Sequence, residues 1–306
     1  MAVTAATAVL PTGPSLQRRA GLGPWFAVTP MLGWLALFVI VPTLMLVVVS
    51  FCERDALGRI VYSFTFENYT RAFDWKWLKI LGISVWYAFL TTVICLVLGY
   101  PVAYFIGRSS ERVRGLLIML VMIPFWTSFL IRTYAWISIL SQEGLLNALL
   151  MTLNITSAPI GFMYTPFAVI LGLVYNFLPF MILPIYTSVE KLDGSLIEAA
   201  YDLGARPARV FSQVVLPLTQ PGIAAGILLV FVPAIAMFAI TNLMGGGANP
   251  TIGEVIQNQF TRARNQPFGA ALGVLLLAIF IFSLWLSSKF RRSEQEEWSR
   301  RRDSNP

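Results

Sequence analysis

The sequence predicts an all-α protein that crosses a membrane several times. Of its 306 residues, 57% are hydrophobic and only 12% are charged, which is more apolar surface than a soluble core of this size requires. Six long windows contain no Lys, Arg, Asp or Glu: 20–52, 80–107, 115–131, 144–189, 210–253 and 265–288. Because a membrane-spanning helix needs about 20 apolar residues, these windows indicate a polytopic membrane protein.

Each window predicts one transmembrane helix once its polar parts are assigned to loops. The stretches 144–165 and 244–253 are rich in Gly, Pro and polar residues, so we assign them to connections. The six predicted spans are 27–51, 81–106, 116–140, 166–189, 217–243 and 267–288. We expect the first span to stay uncleaved, because no small-residue cleavage site follows a short apolar core near the basic pair Arg18-Arg19.

The basic residues predict which side of the membrane is cytosolic. Six spans put both termini on one side, so the Lys and Arg content of alternate connections can be compared. The side with the termini and the 190–216 connection holds 14 basic residues, the other side holds seven, and Arg132 lies inside a span. We therefore expect cytoplasmic tails at 1–26 and 289–306 and a six-span transmembrane domain over 27–288.

Several function classes are disfavoured by the residues the sequence lacks. It contains no His, which excludes His-metal sites, His-dependent catalytic triads and His proton relays. Cys52 and Cys95 have no metal-ligand spacing, and no G-x-x-x-x-G-K-[ST] phosphate loop occurs. The basic residues flank spans, where anionic lipid of the bilayer attracts them, so no nucleic-acid partner is expected. We expect the chain to be no enzyme and to carry no cofactor or metal of its own.

The connection at 188–223 has a helical pattern. Either Asp193 or Ser195 can cap a first helix, and Gly204 suits its end. Pro207 suits the first turn of a second helix. That second helix has an apolar face made of Val210, Phe211, Val214 and Val215. The pattern predicts a cytoplasmic helix-turn-helix, which is either an interfacial connector or a functional joint.

The same connection resembles the cytoplasmic coupling motif of permeases of binding-protein-dependent ABC importers. The match consists of Glu198-Ala199-Ala200, then Gly204, and after nine further residues Val214 and Leu216-Pro217. The family usually has Ile at the place of Val214. The resemblance implies that residues 190–216, here termed the coupling segment, dock into a dimer of cytoplasmic ATP-binding subunits.

The residue types in the coupling segment suit such a joint. Ala199 and Ala200 allow two backbones to approach closely, and Gly204 permits a sharp turn. Glu198 offers a carboxylate to a cationic partner group, and we place Asp202 in the same contact. Since the chain has no phosphate loop, ATP and Mg²⁺ are expected to bind to the partner subunit.

The resemblance narrows to the permease subunits of putrescine and spermidine importers. The segments that carry it are CLVLGYPVAYFI at 95–106, IPFWTSFLIRTYAW at 123–136, the long stretch 172–207, VLPLTQPGIAAG at 215–226, NLMGGG at 242–247 and PFGAA at 267–271. It implies import of a polyamine in the bacterial inner membrane, with an extracytoplasmic solute-binding protein and a second, homologous permease as partners. Similar permeases carry opines and other small organic solutes, so the solute stays open.

A polyamine pathway needs aromatic faces and acceptor oxygens that replace water around ammonium groups. Trp126, Tyr134 and Tyr175 are candidates for lining it, although membrane-belt or packing roles explain the same residues. Glu254, in the predicted outer connection, is an acid that a cation can meet, with Asn242 nearby in sequence. An ordinary solvated loop charge is the alternative for Glu254.

Arg132 is the one charge inside a predicted span. Its position near the outer boundary favours snorkelling or structural pairing, with a role as a gate as the alternative. An ion-coupled secondary transporter would need acidic residues at midmembrane, and the predicted spans contain none. A membrane enzyme would need a clustered catalytic set, and the carboxylates of this sequence are isolated. We therefore expect alternating access driven by a partner ATPase.

Overall fold

The computed structural model describes residues 23–247, 249–282 and 284, with side chains from Thr29 onward. The predicted tails lie outside these ranges apart from residues 23–26, as does most of 283–288 in the sixth predicted span. The chain divides into two units, one up to Val48 and one from Val49. Each unit is described by itself.

The first unit is formed by helix α1, Gly23–Ser50, whose last two residues belong to the second unit. Pro30 and Pro42 lie inside the helix, and each removes one backbone donor. The hydroxyl of Thr43 donates to the carbonyl of Val39 at 2.7 Å. Residues 29–50 are long and apolar enough to cross a membrane, which agrees with the first predicted span.

The second unit begins with a small connection and two long helical regions. Strands β1, Glu53–Arg54, and β2, Ile60–Val61, pair antiparallel, with Glu53 opposite Val61. The elements that follow are α2, Glu67–Ala72; α3, Trp75–Arg108; α4, Glu111–Met122; a 3-10 turn, Ile123–Trp126; α5, Phe129–Leu140; and α6, Leu145–Thr152.

The second half of this unit contains the coupling segment and five further helices. Its elements are α7, Pro166–Glu190; α8, Gly194–Asp202; α9, Pro207–Val210; a π-helical turn, Phe211–Val215; α10, Leu216–Ala236; α11, Ala239–Gly245; α12, Ile252–Thr261; and α13, Gln266–Phe282.

Helices α3, α7 and α10 pack against one another and form the core. Ala88, Cys95, Leu173 and Val230 are fully buried there. Small residues allow close approach at the crossings: a Cβ added at Gly222 of α10 would lie 2.5 Å from the carbonyl oxygen of Pro184 in α7. This core holds the coupling segment at one end and α11 and α12 at the other.

The third predicted span, 116–140, is not one helix. Helix α4 ends at Met122, and the axes of Glu111–Trp126 and Phe129–Thr152 differ by 88°. Pro124 lacks a backbone N–H, and Ser128 caps the next helix by accepting from the amide of Leu130. An uncharged window does not reveal such a break, because apolar residues continue through it.

The predicted helix-turn-helix is present as α8 and α9, but its second helix is not separate from the fifth predicted span, 217–243, whose bounds also differ from the structure. Helix α9 runs through the π-helical turn into α10, so only α8 is a separate helix. Pro217 has no N–H, so the carbonyl of the residue four positions earlier lacks its usual helical donor. Next to it, the amide of Leu216 donates to the carbonyl of Phe211, five residues back, as in a π-helix. The other end of α10 is Ala236, because Met237 is extended and its carbonyl accepts from the hydroxyls of Thr241 and Thr251.

Among the described residues, four helices are long and apolar enough to cross a membrane, or five if the bent pair counts as one. The fourth predicted span, 166–189, coincides with α7 within one residue. Helix α13 reaches Phe282, beyond which most of the chain is not described. The all-α polytopic class is confirmed, and the number of six spans stays a prediction.

Candidate functional site

The coupling segment begins with a capped helix. The carboxylate of Asp193 accepts from the amide of Ser195 at 3.0 Å and caps α8. Of the two predicted caps, Asp193 is therefore the one used. The same backbone hydrogen bond lowers the pKa of the Asp193 carboxyl below its ordinary value. The carboxylate is thus stabilised in the charged form that a helix N-terminus favours.

Helix α8 ends in a Schellman motif at Gly204, as its sequence predicts. Gly204 has φ of +79°, in the left-handed region. Its amide donates to Tyr201, and the amide of Ala205 donates to Ala200, at 2.8 and 3.1 Å. A Cβ at Gly204 would meet no atom within 4 Å. Backbone conformation, rather than lack of space, therefore explains the glycine.

One face of the coupling segment is held by a small apolar cluster. Leu192, Ile197, Val210 and Val215 are buried together, and Tyr104 of α3 packs against them. Tyr104 also packs against the main core. The cluster therefore joins α8 to the helices that form the core.

The opposite face of α8 is open. Glu198, Ala199, Asp202 and Gly204 are exposed, and Ala200 is partly buried. Apolar side chains are exposed at the end of the same helix, with Tyr201 at 47% and the C-cap residue Leu203 at 89%. A rigid helix that is anchored on one side and apolar on the other is suited to protein docking.

A polar contact joins α3 to α10 directly beside the π-helical turn. The hydroxyls of Tyr100 and Thr219 lie 3.0 Å apart in the interior. Thr219 also donates to the carbonyl of Val215 at 2.9 Å, so the Tyr100 hydroxyl acts as the donor. The ring of Tyr100 meets that of Phe211 edge to face at 5.5 Å.

At the other end of the core, α11 and α12 bring Asn242 and Glu254 together. The side-chain amide of Asn242 donates to Oε1 of Glu254 at 2.9 Å. Glu254 is only 3% exposed, so the alternative of a solvated loop charge is wrong. Its second oxygen, Oε2, is buried without a hydrogen-bond partner in the described part of the chain. A buried carboxylate with one unsatisfied oxygen is a strong acceptor for a cation.

Helix α12 is fixed in place by close backbone contact and by a buried amide. The amide of Ile252 donates to the hydroxyl of Ser84 in α3 at 2.7 Å. A Cβ on Gly253 would overlap the carbonyl group of Ala236 at the end of α10. The hydroxyls of Thr241 and Thr251 lie 3.1 Å apart and connect α11 to the start of α12. Glu254 is therefore carried on a rigid support.

The guanidinium of Arg132 lies among aromatic rings. It is 5.5 Å from the ring centre of Phe125 and 6.0 Å from that of Tyr175, and Tyr175 contacts Trp136 edge to face. Nε and Nη1 of Arg132 are buried without a hydrogen-bond partner among the described residues. Arg132 therefore has cation-π support and unused donors.

The remaining aromatic candidates are separate from this cluster. Trp126 is 81% exposed and Tyr134 is 56% exposed. Of the five predicted pathway residues, the structure thus pairs Asn242 with Glu254, places Tyr175 beside Arg132, and leaves Trp126 and Tyr134 on the surface. Within the described ranges, no three His, Cys, Asp or Glu residues are grouped as a metal site requires.

The chain shares a sequence pattern with a transport family. The pattern of the family described as "binding-protein-dependent transport system inner membrane component" matches residues 95–293. That range contains the coupling segment, the Tyr100–Thr219 contact and the Asn242–Glu254 pair. The chain belongs to this family. It is accordingly a multi-pass permease of the inner membrane.

Known relatives of this permease extend the similarity over most of the chain. It is 44% identical over 272 residues to the spermidine/putrescine transport system permease protein PotB of Escherichia coli, which covers 88% of this chain and 99% of that protein. PotB of Haemophilus influenzae is 43% identical, with 86% and 93% covered. The inner membrane ABC transporter permease protein YdcU of Escherichia coli is 32% identical, with 65% and 67% covered.

Solved structures confirm the fold of the permease. A chain from a bacterial alginate ABC transporter, in complex with an alginate pentasaccharide-bound periplasmic protein, has a TM-score of 0.70 and 16% identity. The match covers 87% of this permease and 94% of that chain. A second structure of an alginate ABC transporter gives a TM-score of 0.66 at 16% identity.

Some residues that build these sites were not among the sequence candidates. Ser84 and Gly253 position α12, and Tyr100 and Thr219 join α3 to α10. Thr219 has a visible signal, because it lies in a motif of small and polar residues inside an apolar stretch, whereas Gly253 lies in the stretch 244–253 that is predicted to be a connection. Ser84 has none, since its partner is 168 residues away.

Proposed function

We propose that this permease forms half of the pathway by which an ABC importer takes up a polyamine such as putrescine or spermidine. The observation that carries the proposal is the 44% identity to a spermidine/putrescine permease over 99% of that protein's length. The other half is a second, homologous permease, and an extracytoplasmic solute-binding protein delivers the solute. Both termini face the cytoplasm, in keeping with the excess of basic residues on that side.

The partner on the cytoplasmic side is an ATP-binding subunit that contacts the open face of α8. The exposed Leu203 and Tyr201 supply apolar docking area, and Ala199 allows close backbone approach. Glu198 and Asp202 supply exposed carboxylates for cationic groups of the partner. Hydrolysis occurs in that partner, which binds ATP and Mg²⁺, since this chain has no phosphate loop.

Movement of the partner reaches the helix bundle through the small apolar cluster. Ile197 of α8 packs with Val210 and Val215, which lie directly before α10. Tyr104 and the Tyr100–Thr219 contact join the same region to α3. A rigid displacement of α8 is therefore transmitted to both core helices, and alternating access follows from their rearrangement.

The Asn242–Glu254 pair is the point in this chain best suited to an ammonium group. Asn242 orients one oxygen of Glu254 at 2.9 Å, and the other oxygen has acceptor capacity to spare. A charge-assisted hydrogen bond there is worth about 1.5–3 kcal/mol. Tyr175, Tyr134 and Trp126 offer aromatic faces to a passing cation.

A second candidate solute is one that carries a carboxylate as well as an amine, such as an opine. The observation that favours it is Arg132, whose buried Nε and Nη1 are without hydrogen-bond partners in the described part of the chain. A guanidinium in this state binds a carboxylate, whereas it repels a polyamine.

The test is ATPase activity of the assembled complex in lipid, with the binding protein loaded in turn with putrescine, spermidine, an opine or an unrelated sugar. We expect stimulation by a polyamine only. Stimulation by the opine alone would replace the polyamine assignment by the opine and leave the importer class unchanged. Absence of stimulation by putrescine, spermidine and the opine would refute both solute assignments.

Coupling is tested by charge reversal on the open face of α8. We expect Glu198→Arg to leave the permease inserted in the membrane but to abolish both uptake and co-purification of the ATP-binding subunit. Glu111→Arg is the control, because Glu111 is likewise an exposed acid on the predicted cytoplasmic side, at the start of α4, but lies outside the coupling segment. Normal uptake by Glu198→Arg would refute the proposed contact between Glu198 and the ATP-binding subunit.

A further inference from the structure

A further candidate site lies outside the coupling segment, and Ile252, at the start of α12, belongs to its lining. An apolar cavity of about 170 Å³ lies between the start of α3 and helix α13. Its walls are made mainly by Leu78 and Leu81 of α3 and by Leu272, Leu275, Leu276 and Ile279 of α13. Leu78 and Ile279 are 39% and 44% exposed. The cavity is therefore an indentation on the outside of the second unit.

Two cations lie beside this cavity, each against one of two aromatic rings that contact each other. The guanidinium carbon of Arg71 lies 4.5 Å from the ring centre of Phe268. Phe268 in turn is 5.1 Å from Trp77, and Nζ of Lys76 is 4.9 Å from the ring centre of Trp77. Phe268 is fully buried and Trp77 lines the cavity. The rings therefore hold the two cations at a defined place next to apolar walls.

The charges of Arg71 and Lys76 are not neutralised by an ion pair within the described ranges. The ion pair found there is Arg114–Glu190, on other helices. Asp74 and Glu67 are the acidic neighbours in sequence, and neither lies within 4.0 Å of a basic group in that part of the chain. Lys79, one turn further along α3, is also exposed, but among the described residues no cation-π contact holds it against these rings. The mouth of the cavity therefore attracts an anion.

We propose that this surface binds one anionic phospholipid, with part of an acyl chain in the cavity and the phosphate between Arg71 and Lys76. Apolar walls of this size suit a methylene chain, because a dry cavity of about 150 Å³ already holds a benzene-sized molecule. A transmembrane helix is about 10–12 Å wide with its side chains and does not fit. The exposed rings of Trp75 and Phe73 belong to the membrane interface, where lipid headgroups lie.

The phospholipid explains both parts of the site, whereas other occupants explain one. A free phosphate uses the cations and leaves the cavity empty. A zwitterionic lipid fills the cavity, but its own ammonium group offsets the attraction to Arg71 and Lys76. A helix of the second permease covers the leucines without neutralising the cations. The inference does not depend on which solute is transported.

The first experiment is native mass spectrometry of the full-length permease in detergent with its co-purifying subunits. It is titrated separately with phosphatidylglycerol, phosphatidylcholine of the same acyl chains, and inorganic phosphate. We expect one phosphatidylglycerol to bind at least tenfold more tightly than phosphatidylcholine, with no binding of phosphate at the same concentration. Equal affinity for the two lipids would overturn the headgroup assignment, and equal binding of phosphate would overturn the role of the cavity.

Three variants test separately how the lipid headgroup and the acyl chain contribute to binding. The double variant R71Q/K76Q should lose the preference for phosphatidylglycerol at least tenfold. Lys79→Gln should keep it, because Lys79 is an exposed cation on the same helix as Lys76 but is not held against the rings. Ile279→Trp fills the mouth of the cavity without changing charge, and it should weaken both lipids. Retention of the preference in R71Q/K76Q, or unchanged binding by Ile279→Trp, would each refute the proposal.

A further measurement on the unaltered chain covers the case in which a variant does not fold. Phosphatidylglycerol with a photoreactive group on its acyl chain should crosslink to the peptide that contains Leu275 and Leu276. Competition by unlabelled phosphatidylglycerol should remove this crosslink, and phosphatidylcholine should not. Crosslinks confined to other helices, or absence of a crosslink at this peptide, would show that lipid does not occupy the cavity.

Discussion

Asn242 and Glu254 lie on two short helices and meet through a 2.9 Å hydrogen bond in the interior, 12 residues apart in sequence. The bond leaves Oε2 of Glu254 buried and without a partner among the described residues. Burying an unpaired carboxylate in this way costs desolvation free energy, which a bound cation would offset. The pair therefore combines a fixed orientation of the carboxylate with an oxygen, Oε2, that can accept a hydrogen bond.

The first prediction concerns the charge of Glu254. Glu254→Gln keeps a carbonyl oxygen for Asn242 and removes the negative charge. A hydrogen bond to a charged group is worth about 1.5–3 kcal/mol, so we expect the apparent affinity for a cationic solute in uptake assays to fall about 10- to 100-fold. The measurement is the concentration dependence of uptake into proteoliposomes.

Glu143→Gln is the control for this prediction, because Glu143 is an exposed acid and should not change uptake. If Glu254 serves only as a structural acceptor, Glu254→Gln will transport normally with an unchanged affinity. That result would refute a role for Glu254 in the pathway, although its structural contact with Asn242 would still hold.

The second prediction concerns the support beneath Glu254. A Cβ at Gly253 would overlap the backbone of Ala236, which cannot move aside as a side chain can. Gly253→Ala should therefore displace α12 and destabilise the permease by about 1–3 kcal/mol. Thermal unfolding in detergent measures the loss. Gly115→Ala is the matched control, because a Cβ there meets no atom within 4 Å and the unfolding midpoint should not fall.

Helix α7 and the end of α8 were predicted closely, and the reason is local. Pro166 and Thr165 mark the start of α7, with Thr165 accepting from the amide of Ala168. Gly204 marks the end of α8 by its conformational freedom. Signals of this kind lie within one helical turn and are therefore visible in sequence.

The broken third span and the burial of Glu254 could not be predicted in the same way. An uncharged window predicts that a segment lies in the membrane, but it does not predict the direction of the helix axis. The 88° bend depends on Pro124 and Ser128, which also fit inside a kinked but continuous helix. The burial of Glu254 depends on Asn242 and on the packing of Gly253, which are tertiary contacts.

The third prediction concerns the conformation at Gly204. A side chain in the left-handed region costs about 1–2 kcal/mol, and here this is the only cost because the surrounding space is open. Gly204→Ala should therefore reduce co-purification of the ATP-binding subunit several-fold, while Gly204→Asn should reduce it less, since Asn tolerates this conformation better. Pull-down yield at equal membrane expression is the measurement. Equal loss in the two variants would point to steric conflict with the partner and not to backbone strain.

The fourth prediction uses the asymmetry of the Tyr100–Thr219 contact. Tyr100 donates to Thr219, and Thr219 donates to the carbonyl of Val215. Tyr100→Phe removes one donor, and the Thr219 hydroxyl keeps its own acceptor, so the cost should be about 0.5–1.5 kcal/mol. Thr219→Val preserves shape but leaves the Tyr100 hydroxyl, in a side chain only 8% exposed, without its partner, at about 1–3 kcal/mol.

Thermal unfolding of the two single variants and the double variant measures this difference. Because the double variant removes both the donor and its acceptor, it should be more stable than Thr219→Val alone. Additive losses would mean that the two hydroxyls do not interact in the membrane. The same contact should affect coupling, because Phe211 packs on the Tyr100 ring at the π-helical turn. Thr219→Val should weaken the response of ATPase activity to loaded binding protein. Tyr100→Phe keeps the ring and should preserve most of that response.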